Sequence, residues 1–160
     1  MTVKFEKKLI FLEHPRTGST SVRHALRSVG GQPHKRHTKL RGKEPTMSVV
    51  RNPYDLLTSW WIIAGKDQTF AEFIIGCNDP FMVRNERLFY FLETDYILTF
   101  EYLETELNDV LHKLKIRQVR LPHHNPTKGK HDYRQYYDDK TRSLVAKRFN
   151  IEIERFGYAY

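Results

Sequence analysis

The sequence predicts an α/β domain of three layers, with a central, mainly parallel sheet flanked by helices. Three observations carry this. Short apolar runs around residues 9–12, 46–50 and 96–100 alternate with segments whose apolar residues recur at helical spacing. The first run, Leu9-Ile10-Phe11-Leu12, is apolar without alternation, as in a strand covered on both faces. Punctuation at Gly30-Gly31 and Arg51-Asn52-Pro53 separates strands from helices.

Lys8 to Glu13 reads as the first strand. Val22, Ala25, Leu26 and Val29 then fall at i, i+3, i+4 and i+7, one face of a helix that Gly30-Gly31 ends. Gln32 to Pro45 is polar and basic and is expected to be loop-rich, with room for one short strand or helix. Thr46 to Val50 reads as a second strand. Asn52 suits a helix N-cap, Pro53 the first helical position and Asp55 the positive helix start, so a helix is expected from Pro53 to about Ala64. Phe70 to Ile75 suggests a short helix, and Leu88 to Leu92 fits either a helix or a strand. Tyr96 to Phe100 reads as a third parallel strand. The helix after it has a stripe of Leu103, Leu107, Val110, Leu111 and Leu114, glutamates at its start and Lys113 and Lys115 at its end. Arg120 to Asp132 reads as a basic loop, and Asp138-Asp139 opens a last helix with Leu144, Val145 and Phe149. The tail Phe156-Gly157-Tyr158 is expected to dock on the core. With no repeat, low-complexity stretch or linker, residues 1–160 read as one domain.

The composition narrows the function classes. A 39% hydrophobic and 13% aromatic content excludes a chain disordered by composition. Twenty-seven Lys and Arg against 19 Asp and Glu leave a net charge of +8. That favours an anionic partner, and it reads equally as a solvated basic surface. Cys77 is the only cysteine, which rules out an intrachain disulfide and a cysteine-rich metal site. Following Phe73-Ile74-Ile75-Gly76, it reads as a buried structural thiol. No apolar run approaches a membrane span, and the lysine-rich start reads as a first strand rather than a signal peptide, so a cytoplasmic protein is expected.

Chemistry concentrates in Pro15-Arg16-Thr17-Gly18-Ser19-Thr20-Ser21, between the first strand and the first helix. A helix start offers unpaired N–H groups and partial positive charge to an anion. Gly18 permits a tight turn, the hydroxyls add donors and Arg16 adds a fixed charge. The arrangement is P-loop-like, but G-x-x-x-x-G-K-S/T is absent, so the lysine and the magnesium-binding hydroxyl of that loop are not specified. A second constellation follows the second strand: Arg51, Pro53, Asp55 and Ser59, the last two one turn apart on one helical face. An arginine fork with a serine hydroxyl suits a phosphate, while ordinary capping with Arg51 on the surface explains the same residues. Both segments fall at carboxyl ends of strands, where open α/β sheets bind ligands.

Taken together, the two segments resemble the sulfotransferases that use 3′-phosphoadenosine 5′-phosphosulfate (PAPS). Their first motif, Pro-Lys-(Thr/Ser)-Gly-(Thr/Ser)-(Thr/Ser), maps onto Pro15 to Ser21, with Arg16 in place of the lysine. Their second, Arg-x-Pro-x-Asp-x-x-x-Ser, maps onto Arg51, Pro53, Asp55 and Ser59 without gaps. Thr99-Phe100-Glu101-Tyr102-Leu103 and the stretch from Tyr136-Tyr137 to Phe156-Gly157-Tyr158 extend the likeness, the latter toward the carbohydrate branch and its bacterial and viral relatives.

The resemblance implies a metal-free transfer of a sulfuryl group from PAPS to an acceptor hydroxyl, on a carbohydrate or small molecule, leaving adenosine 3′,5′-bisphosphate (PAP). It implies donor binding by Arg16, Thr17, Gly18, Ser19, Thr20, Ser21, Arg51 and Ser59, with Lys128 or Lys130 on a loop over the nucleotide. It places a base between the first helix and the second strand: His37, with His34 and Glu13 as competitors. Arg16 keeps the charge of the lysine without giving up a proton readily. A domain that binds PAP without turnover is therefore an alternative, as are a P-loop kinase or other NTPase and a basic nucleic-acid-binding module. No nucleic acid signature accompanies the charge. His14 is expected to shape the loop, His123-His124 to hold no metal, and Tyr54, Trp60 and Trp61 to be core.

Overall fold

The computed structural model describes residues 2–5, 8–34, 44–64, 67–76, 93–122 and 131–160. They divide into two compact units, one drawn from Met1–Val50 and Leu88–Asn125, the other from Arg51–Arg87 and Pro126–Tyr160. Among the described residues no helix is long and apolar enough to cross a membrane.

Among the described residues, the first unit is a five-stranded sheet with two helices. Its strands are β1 (Thr2–Phe5), β2 (Leu9–Leu12), β3 (Gln32–His34), β4 (Thr46–Val50) and β5 (Tyr96–Thr99), in the spatial order β3-β1-β2-β4-β5. The pairs β2–β4 and β4–β5 are parallel, and β1–β2 and β1–β3 are antiparallel. This corrects the expectation of a mainly parallel sheet. The cause is local: the lysine-rich start is not one strand running into β2 but a hairpin arm, closed by Lys8 N–H donating to Phe5 C=O at 3.0 Å. Two-stranded hairpins are antiparallel, so β1 reverses the pairing at that side of the sheet. β3 then adds antiparallel to β1 as the edge strand, a place that tolerates Pro33.

Helix α1 (Ser19–Ser28) connects β2 to β3, and α2 (Pro53–Ala64) and α3 (Phe70–Gly76) follow β4 in sequence. After β5, a 3-10 turn (Phe100–Tyr102) leads into α4 (Leu103–Lys113). Cross-strand pairs Val3–Phe11, Phe11–Met47 and Val49–Leu98 line one face of the sheet. Val22 and Leu26 of α1 and Leu103, Leu107, Val110 and Leu111 of α4 pack there. Both described helices of this unit thus cover the same face, while Ile10, Leu12, Ser48 and Val50 on the other face are buried too. α1 ends in a Schellman motif: Gly31 N–H reaches Leu26 C=O at 2.9 Å and Gly30 N–H reaches Arg27 C=O at 3.2 Å. A β-carbon on Gly31 would lie 2.7 Å from Val3 Cγ1, so the glycine lets the turn pass against β1. α4 ends in the same motif with Lys115 at φ +53 where glycine is usual.

The second unit holds α2, α3, a 3-10 turn (Tyr133–Tyr136), α5 (Asp139–Arg148) and α6 (Asn150–Phe156). Its core is Tyr54, Leu57, Phe70, Phe73, Ile74, Val145 and Phe149. Asp138 and Thr141 form a reciprocal capping box at the start of α5. The last helix expected from sequence is two helices, because the chain leaves helical geometry at Phe149 (φ −114°, ψ 27°). Arg148 donates to the carbonyls of Ile74 and Ile75 and caps the end of α3.

Candidate functional site

In the first unit, β2 passes through Glu13-His14-Pro15-Arg16-Thr17-Gly18 directly into α1. Arg16 (φ 66°) and Gly18 (φ 74°) both adopt left-handed geometry. Gly18 is the N-cap of α1 and makes no side-chain cap bond. The N-cap position therefore lacks the Ser, Thr, Asp or Asn that most helices carry there. Gly18 also lies against the start of α4: a β-carbon there would be 2.8 Å from Leu103 Cδ2 and 3.2 Å from the Phe100 ring. Ser19 and Ser21 are buried and Thr20 half-buried. Thr17 is fully buried, and its hydroxyl donates to His14 C=O at 2.8 Å. A hydroxyl has one proton, so in this arrangement Thr17 braces the loop from within.

Two titratable side chains flank the loop. His14 is buried, and burial pulls its pKa from 6.5 down to about 4, so the ring is neutral at ordinary pH. This agrees with a shaping role. Glu13 accepts from Arg23 Nη1 of α1 at 2.9 Å, and that ion pair ties the end of β2 to the helix.

In the second unit, Arg51 directly follows β4 in the chain. It is only 8% exposed, which removes the reading of a surface arginine beside an ordinary cap. Its Nε and Nη2 both donate to Asp55 Oδ2, the former at 2.7 Å. Asn52 Oδ1 accepts from Tyr54 N–H at 3.0 Å, the cap expected from sequence. Ser59, one turn beyond Asp55, has no exposed surface. With no surface open to solvent, that hydroxyl meets a phosphate only if the side chains over it move. Tyr54 belongs to the core and Trp60 and Trp61 pack against it, as expected.

Sequence reasoning missed what surrounds this turn. Tyr54 meets Tyr137, Tyr160 and Tyr133 with ring centroids at 5.4, 5.2 and 6.5 Å. Tyr137 Oη donates to Tyr54 C=O at 2.9 Å, and burial pushes the Tyr137 phenol far above its usual range. The available signal was compositional: Tyr133, Tyr136, Tyr137, Tyr158 and Tyr160 crowd the last 28 residues. His37, Lys128 and Lys130 lie outside the described residues, as do Cys77, His123-His124 and residues 88–92. His34 ends β3.

Compared with protein-family models, with curated proteins and with solved structures, the chain has no significant match.

Proposed function

We propose that this protein is a PAPS-dependent sulfotransferase built on a P-loop-like α/β fold. The observation that carries the proposal is the left-handed turn at Arg16–Gly18, which leads from β2 into an α1 whose N-cap is a glycine. Such a start suits an anion held by backbone N–H groups. The buried Arg51–Asp55 pair beside Ser59 supports the same reading, since it is a charged donor set fixed by the first turn of a helix.

In this reading Arg16, the N–H groups of Thr17 to Ser21 and the hydroxyls of Ser19, Thr20 and Ser21 take the 5′-phosphosulfate, while the Thr17 hydroxyl stays on His14 C=O. Arg51 and Ser59 take the 3′-phosphate, with Lys128 closing over the nucleotide. His37 removes the acceptor proton as the acceptor oxygen bonds to sulfur, the bridging S–O bond of PAPS breaks, and PAP leaves with the electron pair. Positioning and charge neutralisation do most of the work, as in phosphoryl transfer, so no metal is needed. The acceptor is a hydroxyl of a carbohydrate or small molecule.

A second reading, a domain that binds PAP without turnover, draws on Arg16. A guanidinium does not surrender a proton to a leaving group.

The test is PAP release from PAPS in the presence of EDTA and a panel of sugar and small-molecule hydroxyls, with wild type and His37→Ala. Acceptor-dependent PAP release that His37→Ala lowers about a hundredfold supports transfer. PAP binding without release supports the second reading. Magnesium-dependent ATP hydrolysis in its place overturns both.

A further inference from the structure

We infer that Asn52 and Tyr160 are positioning residues for the Arg51 anion clamp, and that the segment Gly157–Tyr160 acts as a latch on the first turn of α2. The inference rests on the sulfotransferase reading for its ligand, but not for its geometry, all of which lies within the second unit.

Asn52 sits between Arg51 and Pro53 and uses both ends of its amide. Oδ1 caps α2 through Tyr54 N–H, and Nδ2 donates to Ala159 C=O at 3.0 Å, across 107 residues of sequence. The backbone carbonyl of Asn52 accepts from Leu56 N–H at 2.9 Å. One residue therefore joins the helix start that carries Arg51 and Asp55 to the segment before Tyr160.

Tyr160 holds that segment in place. Its ring meets Tyr54, Tyr137 and Tyr133 edge-on, at 5.2, 5.7 and 6.1 Å between centroids. Its hydroxyl donates to Arg134 C=O at 2.9 Å, and the Arg142 guanidinium lies 5.2 Å from its ring centre. Tyr54, two residues beyond Asn52, is thus gripped by its ring and, through Tyr137 Oη, by its carbonyl. With residues 52 and 54 both fixed, the turn that aims Arg51 at Asp55 has little freedom to shift. Donor geometry for a phosphate is sensitive to displacements well under 1 Å.

The experiment uses the whole chain and three variants. Asn52→Asp keeps an oxygen to cap α2 and removes the donor to Ala159. Tyr160→Ala removes the ring, and Tyr160→Phe removes only the hydroxyl. Exchange of the Arg51 Nε–H with water is read by nuclear magnetic resonance, the signal being assigned by its loss in Arg51→Ala. In parallel, calorimetry measures the preference for PAP over adenosine 5′-monophosphate. The expected result is exchange about tenfold faster and a 3′-phosphate preference about tenfold smaller in Asn52→Asp and Tyr160→Ala, with Tyr160→Phe within about twofold of wild type. Unchanged Arg51 exchange in a folded Asn52→Asp would overturn the proposal, and that variant decides the matter if Tyr160→Ala does not fold. A wild type with no preference for the 3′-phosphate would sink the sulfotransferase reading instead, and the exchange measurement would still decide the latch.

Discussion

Replacing Glu152 by Gln should stabilise the protein above neutral pH and destabilise it in acid. Glu152 lies on α6, is 4% exposed, and its Oε1 has no hydrogen-bond partner among the described residues. Burial raises its pKa from 4.5 to about 7. The folded state therefore keeps a proton that the unfolded chain releases near 4.5. Stability from this group is fully present below that value, falls as pH rises toward 7, and is absent above it. At 1.36 kcal/mol per pKa unit, holding the ionised form in the folded protein at pH 8 costs on the order of 3 kcal/mol. Glutamine cannot ionise, but its amide brings a burial cost of about 1–2 kcal/mol at every pH. The variant should thus gain about 1–2 kcal/mol at pH 8 and lose a similar amount at pH 4.5.

Asp95, held down by the Thr46 N–H, and Asp138, held down by the Thr141 hydroxyl, shift the other way, so their stabilisation is lost as pH falls. The readable quantity is therefore the difference between variant and wild type, in which these terms cancel. Urea unfolding across pH 4.5 to 8, followed by tryptophan fluorescence, suits the question because Trp60 and Trp61 are the only tryptophans and both lie in the same unit as Glu152. A variant-minus-wild-type difference that stays flat across that range would refute the reasoning.

Three further substitutions probe the loop and the helix ends. Gly18→Ala combines a left-handed φ of 74° with a 2.8 Å approach to Leu103 Cδ2, and should cost about 1–3 kcal/mol by chemical denaturation. Thr17→Val keeps the shape of the side chain but leaves His14 C=O without the 2.8 Å bond from Thr17, and should cost about 1–2 kcal/mol in thermal unfolding. Lys115→Gly relieves a left-handed residue (φ 53°) at the end of α4 and should raise stability by about 0.5–1 kcal/mol, since the Lys8 bond goes to the Lys115 carbonyl and survives.

The elements legible in the sequence were those whose signal is local. The stripe Leu103, Leu107, Val110 and Leu111 with acids before and bases after it describes α4 almost to its ends. Asn52-Pro53 with Asp55 announces α2, but Asp55 read as a complement to the helix start, and its ion pair with Arg51 came only from the structure. β1 escaped because Thr2-Val3-Lys4-Phe5 is too short and polar to stand apart from β2, and its partner is chosen by a turn. β3 is the short strand that Gln32 to Pro45 left room for, but its place was not legible because Gln32-Pro33-His34 has no strand propensity of its own and forms by adding to the edge of β1. The break between α5 and α6 has neither glycine nor proline to mark it. In the candidate site, residue types at strand ends were legible, but the Asn52–Ala159 bond joins positions 107 apart, which no pattern within a window can reveal.

Calorimetric titration with PAP, without metal, tests the central claim most directly when run beside adenosine 5′-monophosphate and ATP-magnesium on wild type and Arg51→Ala. The account predicts metal-free PAP binding that depends on the 3′-phosphate and falls about a hundredfold or more in Arg51→Ala. Equal affinity for PAP and adenosine 5′-monophosphate, or a preference for ATP-magnesium, would contradict it.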